Sequence, residues 1–595
     1  MPRDERRRNE KLDSVAWERE LMPRMHRPFP QLLALLLLGA CTGNATREAV
    51  QFPPTWRFAS VDSPLVGRHA MVVSEHALSS RVGVDILRRG GNAIDAAVAV
   101  GFAQVVVNPR AGNIGGGGFL MYRQADGRVF ALDYREKAPG AASRDMYLDS
   151  AGNLSDKSLT GALAAGVPGA VAGMFEMHRR FGHLLWKDVV APAIALARDG
   201  HEVDSVRAST IESSRRRLSR FPTSAALFFP GGHAPAQNTL WRQPELAATL
   251  QLIADSGEAG FYRGRTADLI VRQMQASGGI ITGADLANYR AQWREPLKIS
   301  YRGWTIWSMP PSSSGGVTMA LMFNILEGYR HLPRFGSAAL DHLEIEAMRR
   351  AFTDRNRFLG DPDVVEMPLE RLLSKTYAAE LRGQIRTNHA TPSSAMPSIV
   401  EGTETTHFAV VDSAGNAVSI TTTLNDNFGS AVVVGGAGFL LNDEMDDFSA
   451  KPGTPNDYGL IQGEPNAIAP GKRMLSAMTP SIVLDPSDCL SLVLGSPGGP
   501  RIITAVWQVI SNVIDHGMTL SQAVYAPRIH HQSLPDSLRW EPGGVEPETR
   551  RKLEKMGHLF HARPEGNAVV EAIRVTPRGL EGVTDPRILS RAAGY

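Results

Sequence analysis

Residues Glu404 to Thr423 read ETTHFAVVDSAGNAVSITTT. Thr405 to Val411 alternates and is rich in β-formers, Asp412-Ser413-Ala414-Gly415-Asn416 is a turn, and Ala417 to Thr423 is a second strand. The segment before it, Thr387 to Glu404 (TNHATPSSAMPSIVEGTE), is poor in large apolar residues and carries two prolines, so it reads as an exposed loop. A strand that begins directly after a loose loop has two readings. One is a domain boundary with a surface hairpin, which organisation alone favours. The other is a bond that can be cut, leaving a threonine at a new chain terminus.

Outward from this stretch, the pattern is that of an ordinary globular chain. It has 595 residues, 43% hydrophobic and 21% charged, which excludes wholesale disorder and fibrous repeats. Sixty-three Lys and Arg against 61 Asp and Glu are too balanced to argue for a nucleic-acid partner. Length alone predicts about three or four domain-sized units. The apolar run Leu32 to Leu38 is too short to span a bilayer, and Arg24, His26 and Arg27 precede it, as in a secretory signal peptide. It ends Leu38-Gly39-Ala40-Cys41, which resembles the bacterial lipobox, with Cys41 the acylated first mature residue. The alternative is a plain signal peptide with an incidental cysteine. Residues 1–40 are then the leader segment, but residues 1–21 are charged of both signs and fit no leader, so Met22 and Met25 are alternative starts. Only Cys489 remains, a lone thiol read as structural.

From Ser74 to Val107 the pattern is helical, broken at Gly90-Gly91-Asn92, and Ala93 to Val107 is apolar nearly all round, as in a buried helix. Asn108 to Gly118 (NPRAGNIGGGG) leads into strand-like Phe119 to Tyr122, so its glycines serve tight backbone packing rather than a phosphate cradle. Leu340, Leu343, Ala347, Met348 and Ala351 recur at helical spacing and predict an amphipathic helix.

The catalytic options are few. There is no HExxH, no CxxC pair and no GxSxG elbow, and no metal or other cofactor is expected. A threonine can serve as its own base through a freed α-amino group. That amine has a pKa of about 7.7–8.0, so part of it is neutral near pH 7. Thr405 fits this chemistry if the bond after Glu404 is cut.

Glu404 to Asp412 resembles the start of the small subunit of the γ-glutamyltranspeptidases, members of the N-terminal-nucleophile hydrolases. The resemblance extends over Asn108–Phe119, Asp133–Pro139 (DYREKAP), Met309–Gly316 (MPPSSSGG), Leu441–Ser449 (LNDEMDDFS), Gly495–Arg501 (GSPGGPR) and Ala526–Gln532 (APRIHHQ). It implies an α+β fold, the four-layer αββα sandwich, co-folded from a large subunit, Cys41–Glu404, and a small one, 405–595. It also implies roles. Thr405 matches the nucleophile and Thr423 the threonine whose hydroxyl bonds it. Gly498 and Gly499 match the oxyanion amides, although a tight turn would equally favour glycine. Arg135 matches the grip on a substrate α-carboxylate. Asn425, Glu444 and Asp447 match the holders of its α-ammonium, and without the resemblance the two acids would read as solvated. Tyr458 matches a lid, its alternative being a surface tyrosine. Where the family has two adjacent serines, this chain has Ser476 followed by Ala477.

The implied activity is cleavage of the γ-glutamyl amide of glutathione and similar donors, with transfer to water, amino acids or peptides. The expected site is exported and periplasmic, held to the membrane only through a lipid anchor. Rival expectations are an acylase for glutaryl or cephalosporin side chains, and a non-catalytic lipoprotein that binds γ-glutamyl peptides.

Overall fold

Strands β1 (Met71–Ser74), β2 (Gly117–Arg123), β3 (Thr406–Val411) and β4 (Ala417–Thr423) form the centre of one sheet. The computed structural model describes residues 50–393 and 405–595. Strands β3 and β4 pair antiparallel from Thr406↔Thr422 to Val411↔Ala417, with β1 flanking β3 and β2 flanking β4. Arg591–Gly594, Val129–Asp133 and Gln292–Arg294 complete seven strands. Every residue of β3 is buried. The surface-hairpin reading is therefore corrected: the hairpin is the middle of a sheet, because both its faces are covered.

Phe408 and Val410 face helix α1 (Ala93–Val107) and its neighbours, while Ala409 and Val411 face a second seven-stranded sheet through Val493 and Ile573. Helices Gly315–Glu327, α2 (Ala338–Phe358) and α3 (Arg501–Ile514) belong to the core that includes that second sheet. The result is the four-layer αββα sandwich. Residues 50–595 form a single compact unit, so the expectation of several domains is replaced by one shared pair of cores.

All fifteen residues of α1 are buried, as its apolar circumference requires, and Asn92 and Asp95 cap its start reciprocally. The helix before it begins at Ala77 with His76 as cap, not at Ser74, because Ser74 is committed to pairing with Phe408. Cys489 is exposed in the turn between two strands and contributes nothing to the core, so it is not structural. Among the described residues no helix is long and apolar enough to cross a membrane. The leader, Cys41 and Glu404 lie outside the described residues.

Helix α2 departs most from its pattern. Leu340, Leu343, Ala347, Met348 and Ala351 are buried as predicted, but so are Asp341, Glu344, Glu346, Arg349, Arg350, Asp354 and Arg355. Its polar face is an interior one. Asp341 shows the cost, since burial alone pushes its carboxyl up to about 7. A carboxyl raised on folding is most tolerated when protonated, so its penalty is absent below about pH 4 and grows to a plateau above pH 7. Asp341→Asn is expected to raise the thermal unfolding midpoint at pH 8 and to change little at pH 4. The gain is at most about 4 kcal/mol, less whatever the first-turn position of the carboxylate returns through the helix dipole.

Candidate active site

Thr405 immediately precedes β3 and is 4% exposed. Its Oγ1 donates to Thr423 Oγ1 at 3.4 Å, and the same Thr423 oxygen accepts from the Asn425 amide at 2.8 Å. The glycine loop holds this end of β4 close. Asn113 Nδ2 donates to the Thr423 carbonyl at 2.8 Å, and a Cβ on Gly116 would lie 2.1 Å from that same oxygen. Only glycine permits this approach. Asn425 sits at φ 79°, a left-handed conformation that asparagine tolerates better than most residues.

Thr405, Thr423, Asn425, Arg135, Asp447, Tyr458, Ser476 and Gly499 line one cleft. The structure thus gathers residues that lie more than 300 positions apart in the chain. Gly498 (φ 131°) and Gly499 (φ 56°) stand just before α3. A Cβ on Gly498 would meet Ala568 at 2.6 Å, and one on Gly499 would meet the Tyr458 ring at 2.7 Å. Conformation and space both demand glycine, as the turn reading expects. The first amides of α3 add positive potential beside them.

Tyr458 is buried, which removes the surface-tyrosine alternative. Its hydroxyl donates to Asn425 Oδ1 at 2.7 Å, and its carbonyl accepts from Gln532 Nε2 at 2.9 Å. The ring therefore lines the cleft between Asn425 and Gly499. Ser476 presents its Oγ to the Met478 amide at 3.1 Å, and its carbonyl is held by the Ser314 amide at 2.7 Å and hydroxyl at 2.6 Å. The MPPSSSGG segment is thus the brace behind Ser476 and Ala477.

The charges arrange themselves in an instructive way. Arg135 is fully buried and pairs with Glu444 at 2.6 Å, with Asp447, and more distantly with Glu136 at 3.4 Å. Burial raises the carboxyls of Glu444 and Asp447, and the guanidinium opposes that rise. A buried cation with its anions close by is stable only because their mutual attraction offsets the cost of taking each charge out of water. Arg135, expected to bind a carboxylate, is therefore in direct contact with Glu444 and Asp447, two of the residues expected to bind an ammonium.

Arg355 of α2 was not singled out from the sequence, yet it lines the same cleft. It falls four residues after Ala351, on the apolar stripe, where a charge has no place on a simple amphipathic helix. That interruption is the signal that could have found it. A separate cluster, His342, Glu346 and His558, has ligand-type atoms within 4.8 Å of one another. Most of its polar atoms are already engaged: His342 Nδ1 shares a hydrogen bond with His558 Nε2 at 2.8 Å, and Glu346 accepts from Arg350 and Thr391, both at 2.6 Å. It is a polar strut between α2 and the segment after Arg386.

Two stacked antiparallel sheets between helical layers, with a threonine at the head of a central strand lining the same cleft as Gly499, define the N-terminal-nucleophile hydrolase class. The family model for γ-glutamyltranspeptidase matches residues 79–595. Glutathione hydrolase proenzyme from Escherichia coli K12 is 44% identical over 575 residues, spanning 95% of this chain and 98% of that one. The proenzyme of the same name from Pseudomonas sp. strain A14 is 47% identical over 535 residues, spanning 88% and 92%. The crystal structure of cephalosporin acylase from Bacillus halodurans superposes with a TM-score of 0.81 at 29% identity, covering 91% of this chain and 99% of its own. The chain belongs to the γ-glutamyltranspeptidase family.

Proposed function

We propose that this chain is an autoprocessing γ-glutamyltransferase and glutathione hydrolase. One observation carries this: the Thr405 hydroxyl shares a cleft with a cation, Arg135, and an acid, Asp447, the two charges needed for the α-carboxylate and α-ammonium of a γ-glutamyl group. The relatives' name as glutathione hydrolase proenzymes supports it.

Maturation begins when the Thr405 hydroxyl attacks the carbonyl of Glu404. The amide becomes an ester, and water hydrolyses it to a Glu404 carboxylate and a Thr405 α-amine. The large subunit is then Cys41–Glu404 and the small subunit Thr405–Tyr595. In catalysis Thr405 Oγ attacks the γ-carbonyl while the α-amine takes its proton. The amides of Gly498 and Gly499 stabilise the oxyanion, where losing one donor typically costs about 10²–10³ in rate. The leaving amine accepts the proton, and a γ-glutamyl ester remains on Thr405. Water or an amino-acid or peptide amine then takes the acyl group. Asn425, Glu444 and Asp447 hold the donor's ammonium, Arg135 and Ser476 its carboxylate, and Tyr458 covers it. Residues 1–40 direct export to the periplasm, and Cys41 carries the lipid that anchors the mature enzyme.

A second reading, an acylase for glutaryl-type side chains, is favoured by Ala477 and by the likeness to the cephalosporin acylase. The buried acid pair Glu444 and Asp447 argues against it, because a glutaryl group offers them no ammonium. Turnover of γ-glutamyl and glutaryl anilides by the purified enzyme separates the two: preference for the glutaryl anilide would overturn the proposal.

Ala477 gives a sharper test. It is half-buried in the cleft wall and removes one hydroxyl from the carboxylate end. A hydrogen bond to a charged group contributes about 1.5–3 kcal/mol, part of which water can replace. Ala477→Ser is expected to lower KM for a γ-glutamyl anilide by up to roughly tenfold with kcat nearly constant. An unchanged or higher KM would point to a donor whose carboxylate lies elsewhere.

A further inference from the structure

The cleft contains a second guanidinium whose charge the fold does not neutralise. Arg355 is 2% exposed, and its Nε donates to Ser314 Oγ at 3.2 Å while Nη1 donates to Asn356 Oδ1 at 3.0 Å and Gln462 Oε1 at 2.8 Å. All three acceptors are neutral. Among the described residues no carboxylate lies within ion-pair distance of it, and Nη2 has no acceptor. Burial alone would be expected to expel such a charge. It lowers the guanidinium to about 10, with only the field of Asp447 opposing. Arg135, by contrast, already has Glu444 and Asp447 in contact.

An anionic group entering this cleft therefore meets one arginine that is spoken for and one that is not. The unspent cation is tied through Ser314 to the carbonyl of Ser476, the residue next to the missing hydroxyl at Ala477. We infer that Arg355, through Nη2, binds the α-carboxylate of the γ-glutamyl donor alongside Arg135 and makes the enzyme selective for donors that carry that carboxylate. Its fixed position follows from the three neutral acceptors, which orient the fork without quenching it. The Ala477 departure then has a counterpart: the carboxylate end lacks a neutral donor but has a charged one. This assignment rests on the γ-glutamyl activity proposed above.

The test compares two donors, a γ-glutamyl anilide and the same anilide with its α-carboxylate converted to a carboxamide. Wild-type enzyme is expected to prefer the carboxylate donor strongly. Failure to turn over the γ-glutamyl anilide at all would overturn the proposed activity, and the Arg355 assignment with it. Given that activity, Arg355→Gln should raise KM for the carboxylate donor by roughly 10- to 100-fold, as expected for losing one charge-assisted hydrogen bond. It should leave kcat and the carboxamide donor nearly unchanged. Arg355→Lys, which keeps a cation and perturbs the helix less, should show a smaller loss confined to the carboxylate donor. If either folded variant loses equally on both donors, Arg355 only braces the cleft wall and the inference is wrong. Unchanged KM in Arg355→Gln would overturn it as well.

Discussion

Thr405→Ala is expected to remain a single chain and to lose activity by roughly 10⁴- to 10⁶-fold, the loss typical of removing a covalent nucleophile. Both effects come from one atom. In the proposed chemistry the Oγ that attacks the donor also attacks the carbonyl of Glu404, so the variant should neither mature nor acylate. The structure makes a structural excuse hard to find, because Thr405 precedes β3 rather than pairing within it, and the bond from its hydroxyl to Thr423 is long, at 3.4 Å. Removing it leaves the sheet register intact. Gel mobility and turnover of a γ-glutamyl anilide check the two effects independently. Normal cleavage in Thr405→Ala would move the processing chemistry to another residue.

Asp447→Ala has the next largest expected effect. It deletes an acceptor from a partly desolvated charge pair, and such truncations cost about 2–5 kcal/mol, or roughly 30- to 5,000-fold. The loss should fall mainly on γ-glutamyl donors, whose ammonium loses its partner. It should not vanish entirely on glutaryl analogues, because Asp447 also contacts Arg135 and its removal frees that guanidinium. Glu444 remains at 2.6 Å and limits this second loss. The ratio of kcat/KM between the two donors is the readout, and equal losses on both would make Asp447 a structural partner of Arg135 alone.

The strand that Thr405 leads into was legible because its signals are local: alternation from Thr405 to Val411, a five-residue turn, and a loop rich in small and polar residues ahead of it. Its position was not. Whether a hairpin lies at the centre or the edge of a sheet depends on β1 and β2, which sit some 300 residues earlier in the chain. The buried acids were misjudged by composition for a related reason. Glu444 reads as a loop carboxylate until Arg135 arrives beside it, and the contact spans 309 positions. Arg355 could have been suspected from its place on the apolar stripe of α2, but its role depends on Ser314, Gln462 and the cleft beyond. Packing among distant segments, rather than local pattern, decides each of these.

The central claim is that Thr405 becomes a chain terminus and then carries the γ-glutamyl group. Intact-mass measurement of the purified protein, with and without a γ-glutamyl-directed covalent inhibitor, tests it in one experiment. The account predicts two chains, the smaller with the mass of residues 405–595, and a single inhibitor adduct on that smaller chain at Thr405. One uncleaved chain, a terminus elsewhere, or an adduct on the larger chain would contradict it.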